Sequence, residues 1–413
     1  MKFLYKTVAL ILLSSTFTAV AQVNESQVSS EWVVVFEDPR PARLQGWSKT
    51  GYSKQNGDYR DSLELKRFGK KIASKYNLEL RDQWLIQSLG VYCLVVKFND
   101  DQQQTIEQLN RNRRVQWVQP SNEFNILSSK SVTNDASPTA FRSGEVVPLP
   151  NSMDGSGVVI AMIDSGVDKS HRDLSAADVK SENFVVLGEP YAGGEAHGTA
   201  IASVIVTQRE TQLGVAGIAP AVTLEVYRSC WESKKESGSN CNTLSLALAL
   251  DAVARSDASI VNLSLSGPKD ALLDRLTHKL IDQGRVVVAA FDPSRDEESR
   301  FPSKRKGVLV VRAQGLDKSH ANVFSAPGAR VVASPGNRYD FMQGHSIATA
   351  YVSGVLALRK QVWGQPNLNA KTDWRNISQS KAARDLVQEL LHITPQVNEL
   401  NMNNSVKISL LDH

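Results

Sequence analysis

The sequence predicts an α/β protein: a doubly wound, mostly parallel sheet preceded by a small α/β unit. Three observations carry this. First, five largely apolar runs fall between residues 158 and 314: "VVIAMID", "TLEVYR", "SIVNLSL", "RVVVAAF" and "GVLVVRAQ". They mostly lack inside–outside alternation, as expected of strands buried on both faces. Second, stretches of helical spacing lie between them. Third, a Ser-, Pro- and Gly-rich stretch without period, 128–155, separates this region from an earlier set of short strands and helices.

Taken in order, the chain begins with a targeting pattern. Lys2 and Lys6 precede the largely apolar stretch Val8 to Val20, and Ala19-Val20-Ala21 offers a small-x-small cleavage site. Residues 1–21 therefore read as a secretory signal peptide, with the mature chain starting near Gln22 and a secreted or periplasmic location expected. The run is shorter than the ~20 residues a membrane span needs, and no later segment is apolar enough to span.

Within residues 22–127, "EWVVVFE", "VYCLVVKF" and "RVQWVQP" read as strands. Asp61 to Asn77 places Leu63, Leu65, Phe68 and Ile72 at helical spacing, and Asp100 to Asn112 is a polar helix carrying Ile106 and Leu109. The order is strand, helix, strand, helix, strand. The linker over 128–155 is expected to be exposed and open to proteolysis.

Residues 156–413 form the larger unit. His197 to Val206 is a short helix, and Asn242 caps a helix over Thr243 to Arg255. In Lys269 to Gln283, Leu272, Leu273, Leu276 and Leu280 share one face. Near the end, Ser380 caps a helix bearing Ala383, Val387, Leu390 and Leu391, and "SVKISLL" reads as a late strand; both close the domain.

Composition sets limits on partners. The 413 residues are 41% hydrophobic and 22% charged, with net charge +4 and basic residues scattered. No nucleic-acid partner is expected. Of three cysteines, Cys230 and Cys241 bracket the polar loop "CWESKKESGSNC". In an oxidising compartment that spacing suits a local disulfide, with two free thiols as the weaker alternative. Cys93, in "VYCLVVKF", reads as a small buried hydrophobe.

In parallel sheets, functional groups collect at the carboxyl ends of strands. Asp164 ends "VVIAMID", while His197 and Ser346 open the helix-like segments "HGTAIASV" and "GHSIATAYVSG". Each residue type has a task in nucleophilic catalysis. A serine attacks a carbonyl, a histidine takes its proton, and an aspartate holds the imidazole and its charged form.

Together these segments resemble the subtilisin-like serine proteases, the subtilases. "VVIAMIDSGVDKSHRDL" is similar to the family's Asp motif, "HGTAIASVI" to its His motif and "GHSIATAYVSG" to its Ser motif, across about residues 130–365. The resemblance implies a secreted serine endopeptidase with Asp164, His197 and Ser346 as its triad. It would act as a monomer on protein or peptide substrates and need no cofactor for its chemistry. "NLSLSGP" is similar to the substrate-groove strand, which assigns substrate binding to Leu263, Ser264, Leu265, Ser266 and Gly267. Phe291 would border the primary specificity pocket. Residues 22–127 resemble a subtilase propeptide, an intramolecular inhibitor whose tail "RVQWVQPSNEFNIL" plugs the cleft.

Several positions depart from the family pattern. His345 replaces the usual Thr before the nucleophile; it would line the cleft or be solvated. Ala350 replaces a common Pro. Most consequentially, "VVVAAFDPS" puts Asp292 where the family carries an oxyanion-binding Asn. An ionised carboxylate cannot donate a hydrogen bond to an oxyanion. The alternative is therefore a weakened or inactive relative that binds peptides on the same scaffold. An esterase is a third class, disfavoured because the order Asp, His, Ser differs from that of α/β-hydrolases. Asp173 matches a frequent calcium-ligand position, but "TQRETQLG" lacks Asn and Asp, so calcium stays open and no metal site is assigned.

Overall fold

The computed structural model describes residues 31–39, 63–127, 130–131, 153–190, 193–208, 215–232, 239–295, 299–302, 307–316 and 323–363. The expected signal peptide, most of the 128–155 linker, and the closing helix and strand after Ser380 lie outside the described residues.

The N-terminal unit contains β1 (Trp32–Glu37), α1 (Leu63–Lys75), β2 (Leu78–Ile86), β3 (Val91–Phe98), α2 (Gln102–Asn110) and β4 (Val115–Pro120). Its sheet runs β2-β3-β1-β4. The sequence reading missed β2, because "LELRDQ" carries charges where a strand pattern expects apolar residues; pairing to β3 from Leu78 to Ile86 makes it a strand. Asp101 caps α2 by accepting the Gln104 N–H at 3.0 Å.

Both faces of this small sheet are buried. Val34, Phe36, Tyr92, Leu94 and Val96 share one core cluster with Leu65 and Ile72 of α1 and Leu109 of α2. The alternate residues Val33, Val35, Cys93 and Val95 belong instead to the core of the larger unit. That accounts for the unbroken apolar character of "VVVF" and "VYCLVV".

Two further pieces continue from this unit: β5 (Glu123–Ile126) and the short β6 (Lys130–Ser131). The larger unit then runs β7 (Val159–Asp164), β8 (Val179–Asn183), α3 (Ala196–Val206), β9 (Thr223–Arg228), β10 (Cys230–Glu232), β11 (Ser239–Asn242) and α4 (Thr243–Val253). There follow β12 (Ile260–Leu263), β13 (Leu265–Pro268), α5 (Ala271–Asp282), β14 (Val286–Ala290), β15 (Arg300–Phe301), β16 (Val308–Ala313) and β17 (Phe324–Ala326). The described part closes with β18 (Ala329–Ser334), β19 (Arg338–Gln343) and α6 (His345–Trp363).

The central sheet has the order β17-β16-β14-β12-β7-β9-β8, and every neighbouring pair in it is parallel. Helices α3 and α6 share a core with one face, and α4 and α5 with the other. This is the doubly wound α/β architecture that the apolar runs predict. "SIVNLSL" is split, however: β12 belongs to the central sheet, and after Ser264 the chain leaves it as β13.

The N-terminal sheet docks against α4 and α5. Besides the shared apolar core, the Ser88 N–H donates to buried Asp251 Oδ1 at 2.8 Å. Gln119 Oε1 accepts the Leu272 N–H at 3.1 Å, and the Asn122 carbonyl accepts the Thr243 N–H at 3.0 Å. The Thr243 bond satisfies a donor at the start of α4, while the Leu272 N–H at the start of α5 is shared with the capping Asp270 Oδ1, also at 3.1 Å.

Candidate active site

Asp164, at a strand end, and His197, at a helix start, are in direct contact, while the Ser346 hydroxyl is turned to two backbone carbonyls and makes no hydrogen bond to His197. Asp164 is the last residue of β7 and is fully buried. Its Oδ1 accepts the Ser165 N–H at 2.7 Å and lies 2.8 Å from His197 Nδ1. A carboxylate only accepts, so Nδ1 carries a hydrogen, and in a neutral ring Nε2 is then the acceptor. His197 Nε2 is buried with no hydrogen-bond partner among the described residues.

The start of α3 is pressed against the end of β7. A Cβ on Gly198 would stand 2.4 Å from the Ser165 carbonyl oxygen, so only glycine permits this approach. The Gly198 N–H donates to Ser165 Oγ at 3.0 Å. These contacts hold His197 against Asp164.

Ser346 is the second residue of α6. Its single hydroxyl hydrogen has two carbonyls in reach, Leu127 at 2.8 Å and Ser264 at 3.2 Å. Leu127 follows β5, so the end of the N-terminal unit reaches the serine.

That approach is made by strand addition. β5 lies between β11 and β13 in a five-stranded sheet of order β10-β11-β5-β13-β15. Asn240, Cys241 and Asn242 pair antiparallel with Asn125, Phe124 and Glu123. Leu265 and Ser266 pair with Ile126 and Asn125, and the Ser264 carbonyl accepts the Leu127 N–H at 3.3 Å. Phe124 is fully buried; its ring meets Phe301 edge-on at 5.8 Å. It also fills the space over Gly267, where a Cβ would approach the ring to 2.1 Å.

Ser264, Leu265, Ser266 and Gly267 thus face the added strand. Leu263 does not. It ends β12, inside the central sheet, where it pairs with Ile163 and Ala289. The opposite wall, β11, went unread because "SNCN" lacks any strand pattern. It is joined to β10 by the Cys230–Cys241 disulfide, with the two Cα atoms 4.3 Å apart. Cys93 is buried.

Asp292 stands two residues beyond β14 and is 3% exposed. Its Oδ1 accepts the Ser294 N–H at 2.9 Å and the Ser294 hydroxyl at 2.6 Å; its Oδ2 lies 3.5 Å from Arg295 Nε. Burial pushes the carboxyl upward, but the Ser294 hydroxyl and N–H, Ser266 and the Arg295 charge outweigh it. The group is held below the ordinary carboxylate range.

His345 is neither solvated nor aimed along the groove strand. It is buried, and its Nδ1 accepts the Ala313 N–H at 2.9 Å while its ring meets Phe291 edge-on at 5.7 Å. Phe291 is itself buried, with the Arg300 guanidinium 4.9 Å from its ring centre. Asp173 accepts the Val215 N–H at 3.2 Å and the Tyr339 hydroxyl at 2.9 Å. No cluster of metal-ligating side chains occurs among the described residues, and no described helix is long and apolar enough to cross a membrane.

A buried Asp–His pair and a serine at the head of a helix, all at one edge of a parallel α/β sheet, are the parts of a serine hydrolase site. Comparison with known proteins narrows the class. Residues 155–404 match the Subtilase family, so the chain belongs to that family of serine proteases. It is 31% identical over 218 residues to M-protease of Shouchella clausii, covering 50% of this chain and 55% of that protein. It is 30% identical over 218 residues to Subtilisin Savinase of Lederbergia lenta, covering 50% and 77%. The chain therefore spans little more than half the length of the first of these relatives. The structure of fervidolysin from Fervidobacterium pennivorans shares the fold with a TM-score of 0.59 at 18% identity, over 82% of this chain and 55% of that one.

Proposed function

We propose that the protein is a secreted serine endopeptidase made as a zymogen, with residues 22–127 as its propeptide. The carrying observation is the placement of the Leu127 carbonyl: it sits 2.8 Å from Ser346 Oγ, at the end of a strand paired on both sides by the groove walls. A substrate would be held in the same way, by backbone pairing to β11 and β13.

The chemistry follows from the groups in place. Ser346 Oγ attacks the carbonyl carbon as His197 Nε2 takes its proton, while Asp164 holds Nδ1 and stabilises the imidazolium. The carbonyl π electrons move to oxygen, where the Ser346 backbone N–H at the start of α6 donates. Collapse expels the amine, which takes the proton from His197, and leaves an acyl-serine. Water repeats the sequence and releases the acid. By this reading the first bond cut is Leu127–Ser128, which separates the N-terminal unit from the linker.

The test uses the full chain, allowed to mature, with unfolded casein and a serine-directed inhibitor. Inhibitor-sensitive cleavage that is lost in Ser346→Ala is expected. No such cleavage after residues 22–127 are removed overturns the reading. It would favour a peptide-binding protein on the same fold, the alternative that the ionised Asp292 supports.

A further inference from the structure

Glu195, Arg228 and Glu232 form a charge cluster around the start of α3 that the chemistry above leaves unused. The three come from the residue capping α3, the end of β9 and the end of β10. Glu195 accepts from Arg228 Nε at 2.9 Å and Nη2 at 2.8 Å, a two-pronged pair. It also accepts the N–H of Gly166, two residues past Asp164, and the Glu232 N–H at 3.2 Å. Arg228, 1% exposed, completes its bonding with Asn183 Oδ1 at 3.0 Å and the Glu189 carbonyl at 3.2 Å. The pair is buried and satisfied, the condition under which such an ion pair is tolerated.

The last link reaches the histidine. Glu232 Oε1 accepts the backbone N–H of His197 at 3.1 Å. His197 must carry positive charge during acyl transfer, yet it stands in the first turn of α3, where the helix dipole opposes a cation. Glu195 and Arg228 cancel each other. Glu232 is left as the surplus negative charge beside Asp164.

The other groups around α3 do not duplicate it. Asp168 donates its N–H to Thr199 Oγ1 at 2.9 Å, but its carboxylate is taken by Ser170 and the Gly336 N–H. Arg330 on β18 gives its guanidinium to the Ala216 carbonyl. On α6, Ser346 is neutral and His345 Nδ1 accepts from Ala313. The β5 segment presents the Leu127 carbonyl.

We propose that Glu232, braced by the Glu195–Arg228 pair, is a positioning residue that fixes the start of the His197 helix and stabilises the charge His197 gains in turnover. The inference rests on the acyl-transfer reading of the site. Because β10 is disulfide-linked to β11, it also ties the groove wall to the general base.

The experiment compares wild type with Glu232→Gln, each matured from the full chain. A fall in kcat of about tenfold is expected, with KM within about twofold, in keeping with the loss of one charge interaction at a helix start. Removing a negative charge disfavours the imidazolium, so the acid limb of kcat/KM moves to lower pH. Glu232→Asp keeps the charge and should leave the limb in place, which also covers a Gln variant that fails to fold. A second readout needs no turnover: the low-field NMR resonance of the proton between His197 and Asp164, followed against pH in uncut Ser346→Ala with and without Glu232→Gln. Its titration should move in the same direction. If wild type lacks serine-dependent cleavage, the functional reading fails and this titration still decides the inference. If limb and titration both coincide with wild type, the proposal is overturned, however far kcat falls.

Discussion

Ser346 Oγ lies 2.8 Å from the carbonyl oxygen of Leu127, a residue 219 positions earlier in the chain. Such proximity between a candidate nucleophile and a carbonyl on a groove-bound strand makes the first prediction direct. The wild-type chain should yield a product whose N-terminus is Ser128, and Ser346→Ala should remain joined. Intact mass and N-terminal sequencing check both. Cutting of the Ser346→Ala chain at that bond with no other protease present would show that another group performs it.

Phe124 over Gly267 gives a prediction about side-chain preference. A methyl at position 267 meets the Phe124 ring at 2.1 Å. The contact comes from the β13 strand, whose backbone is itself paired, so neither side yields cheaply. Gly267→Ala should lower kcat/KM by about tenfold for peptides carrying Phe at the fourth position before the cut, where Phe124 lies, an overpacking cost of about 1–3 kcal/mol. Peptides with Ala there should be unaffected. Equal losses for both would mean that the pocket is not read.

Asp292→Asn tests the oxyanion position. The Ser294 and Arg295 contacts keep the carboxyl ionised well into acid solution, so at neutral pH it accepts and cannot donate. An amide of the same shape offers a donor, and turnover of a peptide amide should rise by about ten- to a thousandfold. Because the carboxyl is held low, wild-type turnover should not climb between pH 7 and 5 through its protonation. Identical wild-type and Asn profiles would mean that Asp292 serves only the 292–295 turn.

The disulfide carries a stability prediction. Cys230 and Cys241 are separated by 11 positions and both are fully buried. The double change to Ser should cost roughly 3 kcal/mol by loop-closure entropy, read as a lower denaturant midpoint. It should also raise KM, because β11 is a groove wall. A loss of stability with KM unchanged would separate the bond from the groove.

The parallel sheet was legible because its strands are buried on both faces and need no polar side, and Asp164, His197 and Ser346 because three motifs occur in order. β5 was visible only as a tail: "EFNI" becomes a strand because two walls pair with it. β2 was hidden by the charges of "LELRDQ", which a central strand would not tolerate. The Glu195–Arg228–Glu232 cluster was illegible for a different reason. Each residue alone reads as a surface charge, and only the crossover from α3 to β9 and β10 brings positions 195, 228 and 232 together. The one hint is an arginine ending the apolar run "TLEVYR".

The sheet formed by β11, β5 and β13 is continuous only while β5 is in place. Were the strand to withdraw, β11 and β13 would face each other across a slot one strand wide, about 10 Å from backbone to backbone at ordinary sheet spacing. Both rims would then present backbone donors and acceptors to water. An α-helix, about 10–12 Å across with its own hydrogen bonds already closed, neither fits such a slot nor answers its rims. An extended chain does both. On the proposed function, the slot would be a gauge of conformation before it is a reader of side chains, and a folded protein would be cut only where a segment of it comes loose.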